Sequence, residues 1–280
     1  MNPFVRITVL VENTAGASGL LAEHGFALWV EYGRTKVLFD TGQGGVLLGN
    51  AYKLGISLAE AGAIVLSHGH YDHTGGLPDA LRGGGAIEVF LHPAALEPKY
   101  ACTPKGAREI GMPFPAAEAL RSPRVTLHRA EGPTAVLPGL ALTGPVPRTT
   151  DFEDTGGPFF LDAGGTRPDP LVDDQALFFT AADGVVVLLG CAHAGVVNTL
   201  RYIEELTNGK PVVAVLGGMH LGGASPERLR RTLDELRQRD LRLLAPAHCT
   251  GMTATAAIWN AFPDQCRTCH VGDTFTFDLP

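Results

Sequence analysis

Short apolar runs punctuated by Gly, Pro, Asn or Asp recur along the whole chain, over 4–11, 26–31, 36–39, 63–67, 86–91, 124–128, 139–143, 176–180, 185–190, 211–216, 241–245 and 273–277. Most are of strand length and rich in β-branched or aromatic residues, so they predict a sheet-dominated fold. Two pairs are spaced as hairpins: FALWVEYGRTKVLFD around Gly33 and ALFFTAADGVVVLLG around Asp183-Gly184. Helical periodicity is rarer. Ser225-Pro226 reads as an N-cap and first-turn proline, with Leu229, Leu233 and Leu236 on one face after it. Residues 195–207 place Val196, Leu200, Ile203 and Leu206 at helical spacing before the Asn208-Gly209 stop. Shorter helices are predicted at 76–82 and 253–261.

The two halves rhyme. Each has strands, then a strand ending in a polar cluster, then a helix: IVLSHGHYDH in the first half and VVLLGCAHAG in the second. This predicts two sheets packed face to face with helices outside. Between the halves, 93–123 is rich in Pro and Ala with little periodicity, and 144–175 is similar. Loops that long inside a compact domain are usually functional or mobile. The expected organisation is one domain over 1–280, with 93–123 inserted as a loop over the active site.

Composition narrows the partners. Of 280 residues, 45% are apolar and 18% charged, which suits a globular chain with a sizeable core. A net charge of −7 without any Lys/Arg block argues against nucleic acid or an anionic membrane as partner. No apolar stretch has the length of a signal peptide or membrane span. Five cysteines, Cys102, Cys191, Cys249, Cys266 and Cys269, are too few and odd in number for a disulfide framework. A soluble cytoplasmic protein with a small-molecule substrate is expected.

The chemistry concentrates in SHGHYDHTGG, residues 67–76, directly after the apolar Ala63-Ile64-Val65-Leu66. Imidazoles and carboxylates at the edge of a core are costly unless paired. His68 and His70 can point to one side and chelate an ion, while Asp72 and His73 turn toward a neighbouring position. A His/Asp set suits Zn²⁺, Fe or Mn better than Mg²⁺ or Ca²⁺. Four residues so close in sequence cannot complete two coordination spheres. Further ligands are available at strand ends: Cys191 and His193 in LLGCAHAG, His220 in LGGMHL and His248 in APAHCTG.

These motifs identify a resemblance. SHGHYDHTGG matches the His-x-His-x-Asp-His signature of the metallo-β-lactamase fold superfamily, VLFDTG at 37–42 is similar to its first motif, and APAHCTG to its last metal histidine. With EHGFALWV, DDQALFF, GCAHAGVVNTL and GGMHL added, the chain most resembles the dihydropterin–ribofuranosylaminobenzene-phosphate synthase-like metal-dependent hydrolases. The resemblance implies an αββα sandwich, one or two Zn²⁺ ions (Mn²⁺ or Fe²⁺ as alternatives), and hydrolysis by a metal-activated hydroxide. It implies His68 and His70 on a first metal, and Asp72, His73 and His248 on a second. It also implies that Asp40 orients the signature loop from behind. The superfamily's bridging aspartate is replaced here by Cys191, with His193 two residues on; His193 is the expected ligand and Cys191 the lesser candidate.

The expected substrate is a phosphate ester or phosphodiester, or another small ester or lactone. Asp72 is expected to orient the hydroxide or accept its proton, and His220 to protonate the leaving group. Lys99 and Arg108 could meet an anionic substrate, and Asp174 could face the site. Two rival readings stand beside hydrolysis. One is a dihydropterin-linked synthase, for which Tyr100, Phe114 and Arg108 are the candidate pterin and anion contacts. The other is a non-catalytic metal- or ligand-binding protein. His24 and His92 sit beside strands, whereas His128 and His270 read as surface or packing residues. CRTCH at 266–270 spells a haem-attachment pattern without an export signal or further ligands, and reads as accidental.

Overall fold

Both faces of the central strands are apolar, and that dictates the layering. In the strand Ala27–Tyr32, Leu28 and Val30 belong to one buried cluster while Ala27 and Trp29 belong to another. In Gly184–Leu189, Val186 and Leu188 face one way and Val185, Val187 and Leu189 the other. A strand buried on both faces needs a layer on each side. The computed structural model, which describes residues 4–280, supplies them.

A seven-stranded sheet takes the order Thr274–Asp278, Phe4–Val11, Ala27–Tyr32, Thr35–Phe39, Ala63–Val65, Ile87–Leu91, Val125–Arg129. A six-stranded sheet takes the order Leu243–Ala247, Val212–Gly218, Gly184–Leu189, Leu177–Ala181, Leu140–Leu142, Thr134–Leu137. One core cluster draws on both sheets, joining Val5, Ile7, Phe39 and Val65 to Leu177, Phe179, Leu188 and Leu216, and so lies between them. A second lies between the first sheet and the helices Leu47–Lys53, Leu77–Ala80 and Phe114–Ala119. The third lies between the second sheet and the helices Val196–Leu206, Pro226–Arg237 and Met252–Ala261. The result is the expected αββα sandwich. Among the described residues no helix is long and apolar enough to cross a membrane.

Both expected hairpins are present. Tyr32 pairs with Thr35 across a two-residue turn in which Gly33 has φ +59°, and Ala181 pairs with Gly184. Ser225 caps its helix by accepting a hydrogen bond from the amide of Arg228. The stretch 93–123 is more regular than its composition predicts. It contains a turn at Pro93–Leu96, a hairpin of Tyr100–Thr103 with Gly106–Glu109, and the helix Phe114–Ala119. Phe159–Phe160, from the other aperiodic segment, adds a third strand to that hairpin. The hairpin is too exposed to carry an apolar alternation, which is why periodicity does not reveal it.

The pairing directions place the chemistry. Thr35–Phe39, Ala63–Val65 and Ile87–Leu91 run parallel in one sheet, and Gly184–Leu189, Val212–Gly218 and Leu243–Ala247 run parallel in the other. Their carboxyl ends deliver Asp40, His68, His193, His220 and His248 to one rim of the sandwich. In open α/β sheets this rim is where ligands bind.

Candidate metal centre

The signature segment converges because the chain reverses direction inside it. His68 and His70 lie on the extended exit from Ala63–Val65, and Asp72 and His73 lie in the helical turn Tyr71–Thr74 that follows. Thr74 Oγ1 donates to the His70 carbonyl and closes that turn. Close backbone approach is required on both sides. A Cβ on Gly69 would stand 2.3 Å from the Ala95 carbonyl oxygen, and one on Gly190 would stand 2.0 Å from Ser67 Oγ. Gly190 therefore lets the second sheet reach the loop carried by the first. Asp40, Ala192, His220 and His248 all adopt positive φ, between 45° and 58°, so backbone strain gathers at this rim.

Four imidazoles are fixed in the same tautomer by what their Nδ1 atoms meet. His73 Nδ1 is 2.7 Å from Asp40 Oδ2, and His68 Nδ1 is 2.9 Å from Ser67 Oγ, whose own proton goes to Asp40. His193 Nδ1 donates to the Thr155 carbonyl at 2.8 Å, and His248 Nδ1 to Asn13 Oδ1 at 2.9 Å. With Nδ1 donating, the neutral form of each ring leaves Nε2 with a lone pair. Those lone pairs face one another. His73 Nε2 lies 3.2 Å from His248 Nε2 and 3.2 Å from Cys191 Sγ, and His248 Nε2 lies 3.3 Å from Asp72 Oδ2. His68 Nε2 meets His70 Nδ1 at 2.9 Å, while His70 Nε2 and His193 Nε2 are buried with no partner.

Acceptors facing acceptors in a buried site call for a cation between them, a proton or a metal ion. Burial, reinforced by neighbouring imidazoles, holds His68 and His193 well below the ordinary histidine value, and burial takes His70 down to about 3. Neutral imidazole is the metal-binding form. Burial also opposes the charge on Asp72, but His24 and His248 outweigh it and hold the carboxyl well below its usual range. His73 differs: the Asp40 carboxylate overcomes burial and raises it to about 9. The donor atoms of His68, His70 and His193 lie within 4.8 Å of one another, as do those of His68, His73 and Cys191, and of His24, Asp72 and His248. The residues fit a metal centre.

A cavity of about 140 Å³ opens on this cluster between His24, Tyr71, Arg108, Ile110, Phe159 and His220. A larger groove of about 530 Å³ lies on the outer helical layer beside Leu48, Tyr52 and Arg82, and none of the ligating groups is near it.

The sequence model of the metallo-β-lactamase superfamily matches residues 21–248. The chain belongs to this superfamily. It is 34% identical over 253 residues to an uncharacterized protein of Methanocaldococcus jannaschii, covering 89% of this chain and 91% of that protein. It is 26% identical over 284 residues to the 7,8-dihydropterin-6-methyl-4-(beta-D-ribofuranosyl)-aminobenzene-5'-phosphate synthase of the same organism, covering 98% and 97%. Among solved structures it resembles Tm1679, described as a metal-dependent hydrolase of the beta-lactamase superfamily, with a TM-score of 0.83 and 32% identity over 97% of this chain and 98% of that one. The metallo-β-lactamase fold of this chain is thus shown by sequence and by structure.

Within that superfamily frame, His68, His70, Asp72, His73, His193 and His248 all converge, and Asp40 stands behind them with its oxygens on Ser67 and His73. Cys191 is more central than its ranking as a lesser candidate implied, because it joins groups with His73, with His193 and with His248. His220 lines the cavity, its ring 4.1 Å from that of His193. Arg108 lies over the Tyr71 ring at 5.3 Å on the cavity rim.

Two expected substrate contacts are corrected. Lys99 is buried, with Nζ 3.0 Å from Asp169 and 2.9 Å from Asp173, so its charge is already paired. Asp173 in turn accepts the amide of Gly69, between the two histidines, which makes Lys99 part of the scaffold. Asp174 is buried and accepts the amide of Ala194 at 2.8 Å; burial lifts its carboxyl to about 6. It supports the His193 loop without facing the cavity. The pterin-clamp candidates also shift: Phe114 is exposed on an outer helix and Tyr100 lies outside the cavity lining, whereas Phe159 packs on His70 and His193 at 5.3 Å each.

His92 caps the Pro93–Leu96 turn, and His128 stacks on Phe90. Cys266 and Cys269 of CRTCH are buried in different core clusters, on opposite faces of the second sheet. Sequence reasoning missed Glu12, Asn13, Phe159 and Cys249, and gave His24 only a minor place. Glu12 accepts the His248 amide at 2.7 Å, and His24 Nε2 lies 3.1 Å from Asp72 Oδ2. Cys249 had a usable signal, its position directly after the strand-end histidine.

Proposed function

We propose that the protein is a metal-dependent hydrolase of a small phosphate ester or phosphodiester, with other small esters or lactones as the neighbouring substrate class. The observation that carries this reading is the set of tautomer-fixed Nε2 lone pairs turned on one another beneath an open cavity. The whole-length similarity to Tm1679 supports it. In this reading His68, His70 and His193 would hold one ion, and Asp72, His73 and His248 a second, with Cys191 within reach of His73, His193 and His248. A bound divalent ion, Zn²⁺ before Mn²⁺ or Fe²⁺, would lower the pKa of water toward neutrality and polarise the scissile group.

The chain's own groups do the rest. Asp72, kept ionised, orients a nucleophile at the centre, with His24 beside it to pass a proton to solvent. Burial pulls His220 down and Cys249 raises it above the ordinary histidine value, and from the cavity lining it is the group placed to protonate the leaving group. Arg108 supplies the positive charge that favours an anionic substrate, and Phe159 and Ile110 keep bulk water off the cavity wall.

A second reading has its own observation. The Phe159 ring faces the cavity and could stack a planar heterocycle, and the relative named as a dihydropterin-linked synthase aligns over nearly its whole length. The first test is metal content by plasma mass spectrometry, on wild type and His70→Ala, followed by turnover of aryl phosphates, aryl phosphodiesters and lactones. About two equivalents per chain, reduced in the variant, with chelator-sensitive hydrolysis is the expected outcome. Stoichiometric metal without hydrolysis of any of them would favour the synthase or a pure binding role.

A further inference from the structure

The hydrolase reading places Cys191 beside the ligands and leaves Cys249 only as a neighbour of His220. Cys249 sits on the short turn His248–Thr250, directly beside a histidine of the centre, and lines the same cavity. Its Sγ, Cys191 Sγ and a ring nitrogen of His248 lie within 4.8 Å of one another. A Cβ on Gly218 would stand 2.6 Å from Cys249 Sγ and 3.3 Å from Cys191 Cα, so the adjacent strand gives way to admit the second thiol. On the other side, Cys191 shares a group with His193, whose buried Nε2 has no partner, and with His220.

Charge makes the same point. Two divalent ions bring four positive charges into a buried site, and among the described residues Asp72 is the only carboxylate in the converging groups. A buried charge of that size is costly without matching anions. Two thiolates supply what one neutral thiol cannot, because a coordinating thiol is deprotonated outright.

We propose that Cys249 is a metal ligand acting with Cys191 as a thiolate pair, so that the half of the centre nearest His248 takes a thiophilic divalent ion, Zn²⁺ or Cd²⁺, in preference to Mn²⁺ or Mg²⁺. On binding, each S–H bond breaks heterolytically, the proton leaves to solvent, and a sulfur–metal bond forms without any change of oxidation state. Sulfur donors select soft ions where a histidine and carboxylate set does not. The inference rests on the metal-centre reading above.

Cobalt(II) titration of the stripped full chain tests it, because thiolate ligation adds a near-ultraviolet charge-transfer band that nitrogen and oxygen ligands lack. Wild type is expected to show the band, and Cys249→Ser to lose about half of it at unchanged cobalt stoichiometry, with its Cd²⁺-over-Mn²⁺ preference falling about ten-fold or more. An undiminished band in Cys249→Ser overturns the proposal. Cobalt bound with no such band in wild type overturns it too, yet leaves the histidine centre intact. No cobalt bound at all overturns both. If Cys249→Ser does not fold, thiol labelling of wild type decides: Cys249 should alkylate in the stripped protein and be protected by Zn²⁺, with Cys102 on the outer hairpin as internal reference. Equal labelling in the two states overturns the proposal.

Discussion

A neutral imidazole has one lone pair, and the partner of its other nitrogen decides where that lone pair points. Asp40 makes this decision for the signature loop: it accepts Ser67 N and Ser67 Oγ and the Nδ1 proton of His73, all at 2.7 Å. Replacing it by Asn offers His73 a neutral acceptor and turns an amide group toward donors. Asp40→Asn is expected to weaken metal binding about 10–100-fold, as removal of such supporting groups does elsewhere, measured by competition with a chromophoric chelator. Unchanged affinity would mean that the Nδ1 partner does not set the ligand. Lys99 makes a different kind of contribution. It neutralises two buried aspartates, and Lys99→Met would leave Asp169 and Asp173 charged and unpaired. Removing one partner of such a group costs about 3–5 kcal/mol, readable as a lower urea midpoint. The double variant Lys99→Met/Asp173→Asn should recover part of that loss; no recovery would show that the charges are not coupled.

At the scale of elements, the centre is a meeting of strand ends, and only some of those ends announce themselves. Ala63–Val65 and Gly184–Leu189 are continuous apolar runs followed at once by polar residues, so both the strands and the chemistry after them are legible. The helix Val196–Leu206 is legible from its spacing. Other features are invisible for physical reasons. Glu12 and Asn13 follow a strand like any solvated turn, and nothing local shows that they fold back on His248 across more than 230 positions of chain. Lys99 resembles a surface cation until Asp169 and Asp173 are brought to it by a segment with no periodicity of its own. Phe159 belongs to a two-residue strand, too short for any pattern. The sequence shows Gly190 at a strand end, where the backbone can approach a site closely, but not what it approaches. Gly190→Ala places a methyl on Ser67 Oγ, and the sheets must part locally or Ser67 must release Asp40. Overpacking of this kind costs about 1–3 kcal/mol. The variant should fold with a lowered melting temperature and lose metal affinity along with Asp40→Asn; full affinity would show that the approach of the two sheets is not what holds the loop.

For the whole molecule, the consequence is that metal binding joins the two halves. His68, His70, Asp72 and His73 come from the first sheet, whereas His193 and His248 come from the second, so a bound ion ties together what the inter-sheet core alone would hold. A ligand that binds only the folded state stabilises it by RT ln(1 + [L]/Kd), about 4 kcal/mol at a thousand-fold excess over Kd. For a chain of this size each kcal/mol moves the midpoint by about 2–4 °C, so stripping the metal should lower the melting temperature by about 8–16 °C. The sign is fixed by the location of the ligands: neutral imidazoles and a paired carboxylate are arranged in the folded chain and scattered in the unfolded one. His248→Ala removes one second-sheet contribution to the centre and should shrink the metal-dependent shift, measured against the variant's own stripped form. Scanning calorimetry on loaded and stripped forms of both proteins separates the alternatives. A shift equally large in His248→Ala would show that His248 does not hold the ion, and the tie between the two sheets would then rest on His193 and Cys191.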